Sequence, residues 1–102
     1  MSNSVMLEND ALRVTVNPQV GGTITRVEHK QRGLNVMGTV PWDPVDAPMG
    51  PAEAKDEPAW LTRYTGGWPL LFPNAGDACV FEGVEHGFHG EASITPWQAQ
   101  AS

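Results

Sequence analysis

Proline placement limits this chain more than any other feature. Of nine prolines in 102 residues, Pro41, Pro44, Pro48, Pro51 and Pro58 fall in one stretch. Each removes a backbone donor and steers the preceding residue away from helical geometry, so neither a long helix nor a sheet centre fits between 38 and 58. At most a short helical turn fits at 52–56. With eleven glycines, the two residue types approach a fifth of the chain, a composition suited to short strands and tight turns. A connection as long as 38–64 is commonly functional, and its Trp42 and Trp60 are expected to pin its ends or cover a pocket as a lid.

Outside that stretch, alternation of apolar and polar residues dominates. Val5, Met6 and Leu7 open a short strand that Asn9-Asp10 ends with turn chemistry. Leu12, Val14 and Val16 alternate with Arg13, Thr15 and Asn17 until Asn17-Pro18 stops the run. Gly21 and Gly22 permit positive φ in the return. Thr23 to His29 forms the next strand, although simple alternation sends Ile24 and Val27 to opposite faces. Gln31-Arg32-Gly33 then turns the chain into Leu34 to Met37. Further on, Trp68 to Phe72, Ala78 to Phe81 and Ala92 to Trp97 read as strands, with Glu82-Gly83 a tight turn and Pro96 confining the last strand to an edge.

The expected fold is therefore all-β and antiparallel. It comprises a strand meander at 5–37, a proline-rich loop at 38–64 and a third segment at 65–102. A sheet has two faces, and residues spent on turns leave little for a second covering layer. The strands are expected to need self-association or a complementing chain.

Charge and cysteine content narrow the partners. Twelve acidic residues against six basic ones give a formal charge of −6, and no basic stripe exists, which excludes the clustered phosphate contacts of nucleic-acid binding. The same acidity disfavours anionic membranes. Cys79 is the only cysteine, so no internal disulfide forms and a reducing, cytoplasmic location is expected. Met1 to Asp10 has no signal-peptide pattern, and no window approaches the roughly 20 apolar residues that span a bilayer.

Residues 65–97, TGGWPLLFPNAGDACVFEGVEHGFHGEASITPW, hold the chemistry. His86, His89 and Glu91 are interleaved with Gly87 and Gly90, which let the backbone turn sharply and approach a ligand. Sugars are bound by polar groups aimed at hydroxyls and an aromatic face against the C–H side. Trp68, Phe88 and Trp97 are candidate aromatics. Asn74 and Asp77 are candidate hydroxyl partners, although Asn-Ala-Gly-Asp is also an ordinary turn. The plainer alternative for the histidines is that they satisfy backbone groups in a loop.

This segment resembles the aldose 1-epimerase (galactose mutarotase-like) family. His86-Gly87 followed by Trp97 matches the order and spacing of the family's first active-site histidine and its tryptophan. His-Gly-Phe at 86–88, Gly66-Gly67-x-Pro69, Pro73 and Gly76 look like the hexose-6-phosphate epimerase branch. The resemblance implies the N-terminal part of a mutarotase-like β-sandwich, or supersandwich, with His86 near the sugar's ring oxygen. It also implies that neither cofactor nor metal is required. The chain departs from the family in two places: 73–77 has no arginine, and Thr65 stands where the phosphate branch carries one. Arg63 lies close enough to reach the same space. A neutral hexose is thus favoured over a phosphorylated one.

Anomer exchange needs a base at the C1 hydroxyl and an acid at the ring oxygen. By the resemblance, the family's glutamate base and second histidine belong beyond Ser102, which makes the chain part of a site and His86 a binding or polarising group. Glu85 and Glu91 are the local substitutes. Three rival readings use the same residues: a metal site at His86, His89 and Glu91 with Asp77 or Cys79, a non-catalytic carbohydrate-binding module, and a structural fragment needing a partner. The metal reading is weakened by a histidine spacing that fits neither helical zinc motifs nor paired-histidine strands. Cys79, between Ala78 and Val80, reads as a buried apolar thiol, with acidic Asp77 and Glu82 opposing a reactive one.

Overall fold

The computed structural model describes residues 4–49 and 57–100, and antiparallel strands in two sheets make up most of its regular structure. β1 (Val5–Glu8), β2 (Leu12–Asn17), β3 (Thr23–His29) and β4 (Leu34–Asn35) form a meander in sequential order. The turn residues act as their chemistry dictates. Asn9 Oδ1 accepts the amides of Ala11 and Leu12, closing the first turn as an Asx motif. Asn17 caps a 3-10 turn at Pro18–Val20, and Gly21 and Gly22 follow with φ of 63° and 62°.

β3 departs from simple alternation by one residue. Thr15 pairs with Arg26 while Val16 pairs with Ile24, so Thr25 is an extra residue in a bulge. Because cross-strand partners share a face, the bulge brings Ile24 onto the same side as Val27, which pairs with Val14. The expectation that they lie on opposite faces is corrected. Val5, Leu7, Leu12, Val14, Val16, Ile24, Val27 and Leu34 then form one apolar face. Charges collect on the opposite face, where Arg13 meets Glu8 at 2.7 Å and Glu28 at 4.0 Å, and Arg26 meets Glu28 at 3.4 Å.

The buried core lies away from this apolar face. Met49, Trp60 and Ile94 are its centre, with Ala59, Tyr64, Leu71 and Phe88 packed around them. Trp60 sits in α1 (Glu57–Leu61), and its indole N–H donates to Ser93 Oγ at 2.9 Å. The helical turn expected at 52–56 lies outside the described residues. Trp42, by contrast, is 44% exposed.

Two expected strands are absent. Trp68 to Phe72 makes only isolated bridges, Trp68 to Ile24 and Phe72 to Gly90, because Pro69 and Pro73 withhold the donors a ladder needs. Ala92 to Trp97 begins as a 3-10 turn, Ala92–Ile94. There Ile94 is buried to 1% exposure and its carbonyl accepts the Met49 amide. Core burial overrides the local strand preference.

The second sheet is a hairpin of β5 (Cys79–Phe81) and β6 (Val84–His86). Glu82 and Gly83 have φ of 49° and 79°, the positive pair that a two-residue primed turn requires. The tight turn was legible in the sequence, whereas β6 was not.

Candidate functional site

β6 ends at His86, and the hairpin register sets Cys79 directly opposite it, with Phe81 on the same face. The hairpin's root is tied to the loop beneath. Asn74 Nδ2 donates to the carbonyls of Asp77 and Gly87, each at 3.1 Å, and the His89 amide donates to the Gly76 carbonyl at 2.9 Å. Phe72 O accepts the amides of Glu91 and Ala92. Gly90, at φ 74°, crosses so near this strand that a Cβ would run into the Phe72 carbonyl. These contacts fold 87–92 back toward β6.

As a result Glu91 Oε1 lies 2.8 Å from His86 Nδ1. A carboxylate only accepts, so Nδ1 carries a proton, and in the neutral form of the ring Nε2 is the lone-pair nitrogen. The His86 side chain is 17% exposed and that of Glu91 33%. His86 lines two hollows. One, of about 260 Å³, is walled by Pro73, Asn74, Cys79 and Phe81. The other, of about 190 Å³, is bounded by Ala78, Cys79, Val80 and Glu85. Asn74 Oδ1 is buried without a protein partner. The amide cannot simply be reversed, because both carbonyls need its N–H groups.

The other candidate residues are placed elsewhere. His89 stacks on Phe88 with centroids 3.7 Å apart and meets Trp60 edge-on at 4.7 Å, on the core side. Arg63 donates from Nε to the Ala47 carbonyl and from Nη1 to the Ala59 carbonyl, holding the proline-rich loop to α1. The Asp77 carbonyl, rather than its carboxylate, is the group engaged at the hairpin root. Trp68 is paired to β3 and 65% exposed. Trp97 packs near Gly22 and donates its indole N–H to the Ala92 carbonyl. The structure thus brings together His86 and Asn74, and it replaces the three proposed aromatics with Phe81.

One correction concerns reactivity. Cys79 is exposed rather than buried, because the three-residue strand carrying it has no layer over it. Among the described residues, no three His, Cys, Asp or Glu side chains converge as a metal site would require. A wider hollow of about 520 Å³ beside Trp42 is lined mainly by apolar groups, and among the described residues Asp43 is its one titratable side chain, with no acid–base pair. No helix among the described residues is long and apolar enough to cross a membrane.

Comparison with protein-family models, curated proteins and solved structures finds no match.

Proposed function

We propose that the hollow beside His86 receives a free hexose and that the chain carries a site of the aldose 1-epimerase type within a mutarotase-like sandwich. The observation that carries this reading is the His86–Glu91 contact of 2.8 Å on the wall of a hollow that also presents Asn74 and Phe81. Glu91 orients the imidazole, and Nε2 takes the proton from the C1 hydroxyl. Water entering the open hollow protonates the ring oxygen and regains a proton from the imidazolium, the ring opens, and the reverse steps after rotation about C1–C2 yield either anomer. The Phe81 ring offers an apolar surface to the sugar's C–H side. Asn74 Oδ1 is buried without a partner among the described residues; an unsatisfied buried acceptor costs about 1–3 kcal/mol, which a small turn of the side chain toward a sugar hydroxyl would recover.

Polarimetry of freshly dissolved α-glucose and α-galactose tests the proposal. General acid–base help is typically worth about 10²–10⁴-fold, so the chain should shorten the approach to the equilibrium rotation. His86→Gln should abolish that effect, and Glu91→Gln should reduce it about tenfold as the imidazole loses its orientation. Sugar binding without acceleration would identify a non-catalytic binding module instead. Neither binding nor acceleration would remove the sugar reading altogether.

A further inference from the structure

The hairpin register places a thiol across from the imidazole that Glu91 holds, and this arrangement has a use independent of hexose binding. We propose that Cys79, His86 and Glu91 form a nucleophile, base and orienting carboxylate, and that the paired hollows capture small aldehydes by reversible thiol addition.

The geometry carries the inference. Cys79 and His86 are direct partners in the β5–β6 ladder, which puts their Cβ atoms roughly 5 Å apart on one face. Both residues line both hollows, of about 260 and 190 Å³, and the larger one also takes in Phe81 from their own face of the hairpin. Glu91 accepts from Nδ1 at 2.8 Å, so the nitrogen left to act on the thiol is Nε2. A nucleophile, a base and a group orienting that base are the components of an activated nucleophile. A metal would require these groups to converge on one point, and among the described residues no such convergence occurs.

The acidic surroundings fix the mode of activation. Asp77 lies beside β5, Glu82 in the hairpin turn, Glu85 on β6 and Glu91 behind the imidazole, and residues 77–91 include neither Lys nor Arg, which leaves His86 as the group to take the proton. The thiol proton therefore passes to His86 Nε2 during attack. The Cys79 Sγ–C bond forms as the carbonyl π pair moves to oxygen. The same imidazole then returns the proton to that oxygen, giving a hemithioacetal. No leaving group departs and no oxidant or reductant is consumed. Reversal restores both partners. The hollow of about 260 Å³ admits a short aldehyde with room to spare, and Phe81 and Pro73 suit an apolar or hydroxylated carbon stem.

The rate of Cys79 alkylation by iodoacetamide, read by intact mass at neutral pH, tests the proposal. The folded chain should react at least about tenfold faster than the same chain in guanidinium. His86→Gln should bring the folded rate down to the unfolded value, and Glu91→Gln should lie between. Cys79→Ser should take up no label. Glycolaldehyde should slow alkylation saturably, at concentrations about tenfold below those needed with the unfolded chain, whereas ethylene glycol should not slow it. His86→Asn is a second substitution at the base, chosen in case the glutamine variant fails to fold. Equal rates folded and unfolded, or a rate indifferent to both His86 substitutions, would overturn the assignment. Fast alkylation without glycolaldehyde protection would overturn the aldehyde as ligand. These readouts do not use hexose mutarotation, so a negative polarimetry result leaves them unaffected.

Discussion

Gly90 is the residue on which the geometry around His86 turns. Its positive φ and its approach to the Phe72 carbonyl exclude any side chain, and the next residue is Glu91, whose carboxylate must reach Nδ1. Gly90→Ala should cost about 2 kcal/mol or more by combining backbone strain with a main-chain collision, measured as a lower midpoint in urea. Any folded remainder should show a slower Cys79 alkylation rate, because the carboxylate is displaced. His89 is placed differently: its ring lies against Phe88 and Trp60 at the margin of the core, with Nδ1 buried and unpartnered among the described residues. It has a left-handed φ of 62° and is stacked on Phe88. Nothing in the order His-Gly-Phe-His-Gly separates the two histidines; the β6 register does, by giving His86 a strand position and leaving His89 beyond the strand's end.

Among the elements, the meander's charged face offers a pH test. Glu8 has its carboxyl held below the ordinary value of 4.5, first by hydrogen bonding to Arg13 and next by Lys30, and the Arg13 guanidinium is pushed up in turn by Glu8. A carboxyl that is harder to protonate folded than unfolded adds stability above its unfolded value. That contribution fades as pH falls through the lower folded value. Glu8→Gln should therefore lower the thermal midpoint near pH 6, the deficit should shrink progressively as pH falls below 4.5, and it should also shrink in high salt because the pair is exposed. A variant curve parallel to the parent at every pH would contradict this account. The strands of this face were legible in the sequence because local alternation and turn residues govern them: Asn9, Asn17, Gly21 and Gly22 all act as their types demand. β6 was not legible. Val84-Glu85-His86 is too short for a pattern, and its pairing comes from the Glu82-Gly83 turn. Ala92–Ile94 was misread because Ile94 answers to Trp60 and Met49, which are remote in sequence. The candidate site was half legible for the same reason: composition pointed to His86 and Asn74, while Phe81, Glu91 as its partner and the exposure of Cys79 depend on register and return path.

For the molecule as a whole, the distribution of apolar area is unbalanced. The core cluster of buried side chains is Met49, Trp60 and Ile94, while on the meander's apolar face Leu7 is 51% exposed, Leu12 39% and Leu34 55%. The radius of gyration, 14.6 Å, exceeds the roughly 13 Å of a compact chain of this length. A surface of this kind should bind an apolar dye in the native state. Anilinonaphthalene sulfonate should brighten with the folded chain, and Leu7→Lys with Leu34→Lys should dim it without lowering the urea midpoint, since neither side chain is buried. Equal brightness in the double variant would place the dye elsewhere.

The surplus residue at Thr25 carries a geometric consequence for that same face. One ribbon of the β2–β3 pair is longer than the stretch it covers, and a pair with unequal lengths must coil more tightly where the excess sits. The greasy side of the meander is thus warped, and a planar slab laid on it would touch only along a ridge. Whatever fits it well has to be bowed to match.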